Sequence, residues 1–596
     1  MNNQKVFLAT TALETFWDTT KPMVFLGEWC QSHHKKFHRN VLNAVVIDSV
    51  TQQHHQSTEA YNYTIRVYNQ LLPQLSDWLN KIHSTQYSSR YWKIIIGSFL
   101  LWYIQVVYDR YLYLKSASEL YPAFETIGLS ASSFKTPINT MEFYLFATES
   151  DAWNLQLFTQ ILKHQFKTPS LHKDFDWHDE MQERKNKFGS SMNFSKLTKL
   201  KLSFLRYLLN LRRKKSVGVY FCGLSNKNIY RLLLSSKFKI FPLIKMDNGE
   251  GIVFRENKPN NKLRAEITRL HSEDDFTALV LETLQINMPL NFIEYYKEES
   301  LQSDKSFPYS PSVIVGAGWN PDDQLKFWGA KHAEKGHVIV DLQHGGGYGT
   351  HQYSSREYLE RDNCNAFISW GWKNGEDVIP APSVLACEKK YSQKKNQSQH
   401  LILWVANETP RYILSIEQSL QSLEKSYSDL QYRFASALNQ DIRSQIMMRV
   451  RPSSKHHATI RELLPDLKIH LPQGKDTFFD QLSSAKLFIS DNLQTTFLYS
   501  LAFNVPTIVF CDNALRQINA EAKQYFDQLR DCGIYHDSPD SAAKWVNQVA
   551  HNPMAWWKKP DVQLAREEFC HQFVRITANW RNEWKNILLN LRSTID

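Results

Sequence analysis

Four short stretches of this chain carry side chains able to move a proton or hold an anion. The first is Val338-Ile-Val-Asp-Leu-Gln-His-Gly-Gly-Gly-Tyr-Gly349, an apolar run that ends in a polar pair and a glycine cluster. Ligands of open α/β sheets bind beyond the carboxyl ends of strands, which places Gln343 and His344 where chemistry happens. An imidazole there titrates near neutrality and suits general acid–base work. Gly345, Gly346, Gly347 and Gly349 let the backbone approach a ligand and expose N–H donors. No helix start follows directly, so this is not a GxGxxG dinucleotide fingerprint. A turn with a structural histidine is the plainer alternative.

The second stretch, Leu487 to Phe510, reads as strand, polar turn, helix and strand, with Asp491 at the first strand end. Thr495 and Thr496 fall at the helix start, where free N–H groups and hydroxyls suit a phosphate. Ordinary N-capping is the bland alternative. The third is Met447-Met-Arg-Val-Arg-Pro-Ser453, in which Arg449 and Arg451 end an apolar strand. A strand-end arginine can grip phosphate or carboxylate through two parallel bonds, or simply form an exposed ion pair. Asn407, just past the strand Leu401–Val405, points to the same edge. The fourth is Phe25-Leu-Gly-Glu-Trp-Cys30, where Glu28 follows a strand and is a candidate general base for a hydroxyl nucleophile. His33, His34 and His38 lack companions at zinc spacing, and no metal site is expected.

These residues need a frame to position them. The chain has 596 residues, 42% hydrophobic and 22% charged, enough for globular cores and incompatible with wholesale disorder. The apolar runs Val217–Cys222, Phe238–Leu243, Val313–Val315, Val338–Leu342 and Ala366–Trp370 read as parallel strands buried on both faces. A second series follows at Leu401–Val405, Ile446–Val450, Leu467–His470, Leu487–Ser490 and Thr507–Phe510. Helical stretches alternate with both series, which implies two doubly wound sheets around a cleft. Shorter strand-like runs, Val6–Leu8, Met23–Leu26 and Ala44–Ile47, open the chain. The expected organisation is an amino-terminal lobe over 1–387 with a helical insertion at about 60–215, a polar linker at 388–400, a carboxyl-terminal lobe over 401–561, and a helical tail over 562–596.

The seven cysteines are scattered, odd in number and never in a Cys-x-x-Cys, which argues against a disulfide framework and fits a reducing compartment. The start of the chain shows no secretory pattern. Ile94–Tyr108 is apolar but only 15 residues long, short of a bilayer span, and reads as a buried helix. Ser191–Lys215 carries eight Lys or Arg and no acid, with Leu197, Leu200, Phe204, Leu208 and Leu211 at helical spacing. Such a helix either lies on an anionic membrane surface or packs its apolar face in the core. No nucleic-acid module surrounds it, so the net charge of +10 does not argue for nucleic acid.

Gly27-Glu-Trp-Cys30, the Leu342-Gln-His-Gly-Gly-Gly-Tyr-Gly349 turn and the Ile489–Phe510 unit together resemble a family of transferases from bacterial O-antigen and surface-polysaccharide gene clusters, over most of the chain. The carboxyl-terminal unit is also similar, more loosely, to capsule-type transferases that use CMP-activated acidic sugars. Those enzymes carry a His-Pro dipeptide where this chain has Arg451-Pro452. The resemblance implies a GT-B fold and a glycosyltransferase with no cofactor beyond its nucleotide-sugar substrate, a CMP-sugar favoured. The donor would lie on Gln343, Gly345, Gly346, Asn407, Arg451, Asp491, Thr495 and Thr496. Glu28 and His344 would be catalytic, and a glycan or lipid-linked glycan would be the acceptor. The expected location is cytoplasmic, peripheral on the inner face of the membrane. Rival readings are a glycerol- or ribitol-phosphate polymerase and a non-catalytic polysaccharide-assembly protein.

Overall fold

The computed structural model describes residues 5–31, 44–47, 54–166, 171–188, 216–220, 223–246, 255–390, 400–407, 410–419, 424–450, 464–472, 477–511 and 518–593. Arg451, the basic stretch 191–215, and His33, His34 and His38 lie outside the described residues.

Two six-stranded, wholly parallel sheets form the frame. In the first the strands lie in the order Val378–Pro380, Ala366–Ser369, Val338–Leu342, Val313–Gly316, Val217–Tyr220, Ile240–Pro242. In the second the order is Lys468–His470, Ile446–Arg449, Leu401–Val405, Ala485–Ser490, Thr507–Phe510, Tyr535–His536. Their central strands are buried on both faces because helices cover each side, which is why they read as unbroken apolar runs. Chain order in the second sheet runs outward from the gap between Leu401–Val405 and Ala485–Ser490, the arrangement of a Rossmann-like sheet. The molecule is thus an α/β protein of GT-B-like plan, with two Rossmann-like lobes around a cleft.

The three opening runs do not join the first of these sheets. Phe7–Ala9, Met23–Phe25 and Val45–Val46 pair with one another, and Phe7 bridges Glu125 beside a further parallel pair, Ile127–Leu129 and Leu171–Lys173. They make a small separate sheet, and the six-stranded one begins only at Val217.

Between them stands the helix Ser89–Leu120, started by Ser88, whose hydroxyl accepts from the Tyr91 N–H. By length and composition it could cross a membrane, yet 89% of its apolar window is inside the protein. It packs against His54–His83 and Asp323–Glu334, and its Arg110 pairs in the core with Asp109 at 2.8 Å and donates to the Asn154 side-chain oxygen. Ile94–Tyr108 is its middle, a core helix as its sequence indicates.

The tail divides into two helices that serve different lobes. Pro560–Phe573 lays Phe569 and Phe573 on the second lobe. The chain then crosses, the Arg575 N–H donating to the Trp370 carbonyl and its carbonyl accepting from Ser383. Trp580–Ser593 packs Trp580, Trp584 and Leu588 under the first sheet.

Candidate functional site

A cleft of about 670 Å³ opens where the carboxyl ends of the two sheets face each other. The second lobe supplies Val405, Ala406 and Asn407 from the end of one strand, Arg449 and Val450 from the end of the next, and Asn492, Gln494, Thr495 and Thr496 after a third. These segments straddle the point where strand order reverses, the position at which such sheets bind ligands. The helix Thr495–Ala502 points its amino end into the cleft, and the side chain of its N-cap, Gln494, makes no capping bond. Its first-turn N–H groups and dipole therefore present a positive end to the space. Arg449 also reaches the cleft, steadied by a 2.7 Å bond from Nη1 to Gln481.

The first lobe supplies His344 through Tyr348 and the start of helix Ser355–Asn363, with Arg356. The amino-terminal helices add Ser57, Tyr61 and Trp102, and Tyr61 packs on Tyr353 with ring centroids 5.1 Å apart. One wall is thus rich in anion-seeking groups and the other in aromatic rings.

The two walls touch through the glycine turn. The Gly346 N–H donates to Thr495 Oγ1 at 2.8 Å. A Cβ on Gly346 would lie 2.5 Å from the Gln494 carbonyl carbon and 2.6 Å from the Thr495 nitrogen. The close approach that the glycines permit is made to the other lobe's helix start.

Beneath His344 lies a buried polar cluster. The Tyr348 hydroxyl donates to Glu360 Oε2 at 2.8 Å and stands 3.4 Å from His344 Nδ1, which is 3.9 Å from Glu360 Oε1. Asn320 Nδ2 donates to Glu360 Oε1 at 3.2 Å. Burial pushes the Glu360 carboxyl up to about 8 and also raises its neighbour Asp341, so Glu360 holds its proton at neutral pH. Burial, reinforced by the charge of Arg356, pushes His344 down to about 4. The near-neutral imidazole expected from sequence is corrected: His344 is uncharged at pH 7 and acts as an acceptor or single donor.

The model of the LIC12162 family transferases matches residues 6–588, nearly the whole chain. The chain belongs to this family of transferases. No curated protein matches it. Among solved structures it is similar to a wall teichoic acid polymerase, TagF, with 10% identity, 67% of this chain and 96% of that one covered, and a TM-score of 0.30. It is similar to a UDP-GlcNAc 2-epimerase from Methanocaldococcus jannaschii, with 11% identity, 59% and 97% coverage, and a TM-score of 0.34. A third is an α,α-trehalose-phosphate synthase from Burkholderia xenovorans, with 11% identity, 62% and 99% coverage, and a TM-score of 0.33. At these scores the likeness adds nothing to the strand orders themselves.

In this LIC12162 family transferase the cleft gathers His344, Gly345, Gly346, Asn407, Thr495 and Thr496 as the sequence indicates. Three expected residues stand elsewhere. Gln343 is buried, its Oε1 accepting from the Trp370 N–H and Trp372 Nε1, and its Nε2 donating to the Gly345 carbonyl. It braces the glycine turn from below and does not face a ligand. Asp491 is likewise buried, accepting from Trp404, Tyr427, Gln431 and Asn492. With four donors on two oxygens it locks the strand end, and its neighbour Asn492 faces the cleft. Glu28 opens a short 3-10 turn on the small separate sheet and does not line the cleft. Its segment meets the segment beside the cleft through Trp29, whose carbonyl accepts from Arg411 at 2.9 Å and whose ring packs on Tyr412. The residue that sequence reasoning missed is Arg356. An arginine in the first turn of a polar helix carries no signal of its own until the lobes are docked.

Proposed function

We propose that this transferase moves a sugar from a nucleotide donor, held on the carboxyl-terminal wall, to a hydroxyl of a glycan or lipid-linked glycan on the aromatic wall. The carrying observation is the cleft at the strand-order reversal of the second sheet, with an uncapped helix start and Arg449 on one side and His344 on the other. Glycosyl transfer breaks the bond between the sugar and the leaving phosphate, so charge grows on that phosphate as the acceptor hydroxyl attacks. Helix N–H groups, the Thr496 hydroxyl and Arg449 would meet that charge. Asn407 would orient the nucleotide. Neutral His344, in place of Glu28, would receive the acceptor's proton. Aromatic faces such as Tyr61 and Tyr353 suit the apolar faces of a pyranose ring.

The proposal extends to a CMP-activated nonulosonic or Kdo-like sugar and to surface polysaccharide, O-antigen or capsule, as the pathway. It includes transfer without a metal ion, which EDTA in the assay tests. It places the work at the cytoplasmic membrane face, with 191–215 as the contact. The deciding experiment is a binding and hydrolysis screen of CMP-, UDP-, GDP- and dTDP-sugars with the purified full chain. One nucleotide class should bind and be released on turnover, and Thr496→Val should weaken its binding. A protein that binds and cleaves none of the four would overturn the reading.

A further inference from the structure

Two arginines line the cleft, and they differ in what holds them. Arg449 is bonded to Gln481. Arg356 makes no hydrogen bond or ion pair among the described residues, although its side chain stands at the inner wall. It is exposed although it stands on the wall of the cleft, as a side chain projecting into a cavity is. The acids near it are already committed. Glu417, on a second-lobe segment, takes the Ser355 N–H at 2.9 Å and the Ser355 hydroxyl at 2.8 Å. Glu360, one turn along the same helix, takes the Tyr348 hydroxyl and keeps its own proton at neutral pH. A guanidinium offers five N–H donors in a fork that fits two oxygens of one anion. Here none of the five is taken by a hydrogen-bond acceptor among the described residues.

We propose that Arg356 is the receptor for an oxyanion of the substrate, a phosphate or a carboxylate, on the amino-terminal wall beside His344. The anion site stands on Arg356 itself, and only the identity of what carries the oxyanion rests on the glycosyl-transfer reading. A consequence follows for His344. The groups that face it or act through its neighbours are Arg356, Tyr348 and Glu360, with Asp341 behind Glu360, and Glu417 and Tyr144 around Arg356. Burial does most to keep the imidazole unprotonated, and of these groups Arg356 is the cation that adds to it. An oxyanion on Arg356 offsets that charge, so the basicity of His344 rises when substrate arrives. The empty cleft then holds a weak base and the filled cleft a stronger one.

The test uses the full chain with two probes, inorganic pyrophosphate for the phosphate source and N-acetylneuraminate for the carboxylate source. Calorimetry should show Arg356→Gln weakening one of them roughly tenfold to a hundredfold, the loss of a charged hydrogen-bond pair. Arg356→Lys should keep part of the affinity, which separates lost charge from lost fold. Imidazole NMR should show the His344 midpoint rising on addition of the bound probe in the wild type. If both probes bind Arg356→Gln as they bind the wild type, or neither binds the wild type, the anion site is wrong. An immobile His344 midpoint would refute the coupling. Sugar transfer with unchanged KM in Arg356→Gln would sink this inference and leave the glycosyl-transfer reading intact. Arg356-dependent pyrophosphate binding in a chain that cleaves no nucleotide sugar would do the reverse.

Discussion

The two six-stranded sheets face one cleft but meet it differently. The second sheet offers it the point where strand order reverses, between Leu401–Val405 and Ala485–Ser490, and three loops on either side converge there. The first sheet reverses between Val217–Tyr220 and Val313–Gly316, and it reaches the cleft from a strand beyond that gap, Val338–Leu342. The second lobe therefore presents a ready-made crevice of backbone ends. The first presents a turn and a helix start carrying His344 and Arg356. Backbone ends and Arg449 thus stand on one wall, and the titratable His344, with Arg356 beside it, on the other, a division that would suit the proposed transfer.

The sharpest way to break that division is to push the walls apart. Gly346→Val places a branched Cβ against the Gln494 and Thr495 backbone, which cannot step aside as a side chain would. A shift of about 1 Å in relative position is worth about a hundredfold in rate, so turnover should fall a hundredfold or more. The melting temperature should move far less than the rate, since the substitution meets the Gln494 and Thr495 backbone and no core side chain. A variant with wild-type turnover would show that the contact through Thr495 does not set the working geometry.

Single-wall substitutions sharpen the contrast. On the reacting wall, His344→Ala should lower turnover about a hundredfold, the size of a lost acid–base group, with donor affinity nearly unchanged. On the binding wall, Thr496→Val should weaken donor binding about tenfold and leave the rate at saturation close to normal. If His344→Ala weakens binding as much as it slows turnover, the two walls do not divide the work in this way. Asp491→Ala should behave as neither. It strips four donors of their acceptor, and at about 1–3 kcal/mol for an unsatisfied buried group it should lower the melting temperature by several degrees. Donor affinity per folded molecule should hold. Calorimetry and a binding isotherm on one preparation separate these outcomes.

Much of this frame is legible in the sequence because parallel strands covered on both faces must be apolar throughout. Val338–Leu342, Leu401–Val405 and Thr507–Phe510 coincide with their apolar runs to the residue. Val378–Pro380 and Tyr535–His536 escape such reading, being edge strands too short to stand out as runs. At the site, strand ends are legible but side-chain direction is not. Gln343 and His344 are adjacent and equally polar, yet one is tucked under Trp370 and Trp372 while the other faces the cleft. Asp491 and Asn492 divide in the same manner. Period-two alternation ends with the strand, and which residue turns inward depends on tryptophans distant in sequence. Arg356 depends on docking of the whole second lobe, which no local pattern encodes.

The smallest expected effect concerns the pH response of the reacting wall, where two groups pull in opposite senses. His344 sits at about 4 in the folded chain against an ordinary value near 6.5. Between those values the unfolded chain binds the extra proton, so folding loses stability as pH falls from about 6.5 towards 4. Glu360 sits at about 8 against an ordinary value near 4.5. Between those values the folded chain binds the extra proton, so its contribution is complete below about 4.5 and is lost as pH rises towards 8. The windows overlap between about 4.5 and 6.5, where the two slopes oppose each other, so the stability maximum of the wild type should be a broad one within that overlap. Glu360→Gln cannot ionise and keeps the shape, so it should remove the decline above about pH 6.5 and leave stability rising through the overlap, with the response below about 4.5 as it was. Its amide still accepts from Tyr348 and Asn320 through one oxygen at most, so a small loss of stability at pH 5 should accompany the flattening. Urea denaturation from pH 4 to 9, run on both proteins, reads this directly. Parallel curves displaced by a constant amount would mean that Glu360 is already ionised at neutral pH and that His344 has an anion beneath it.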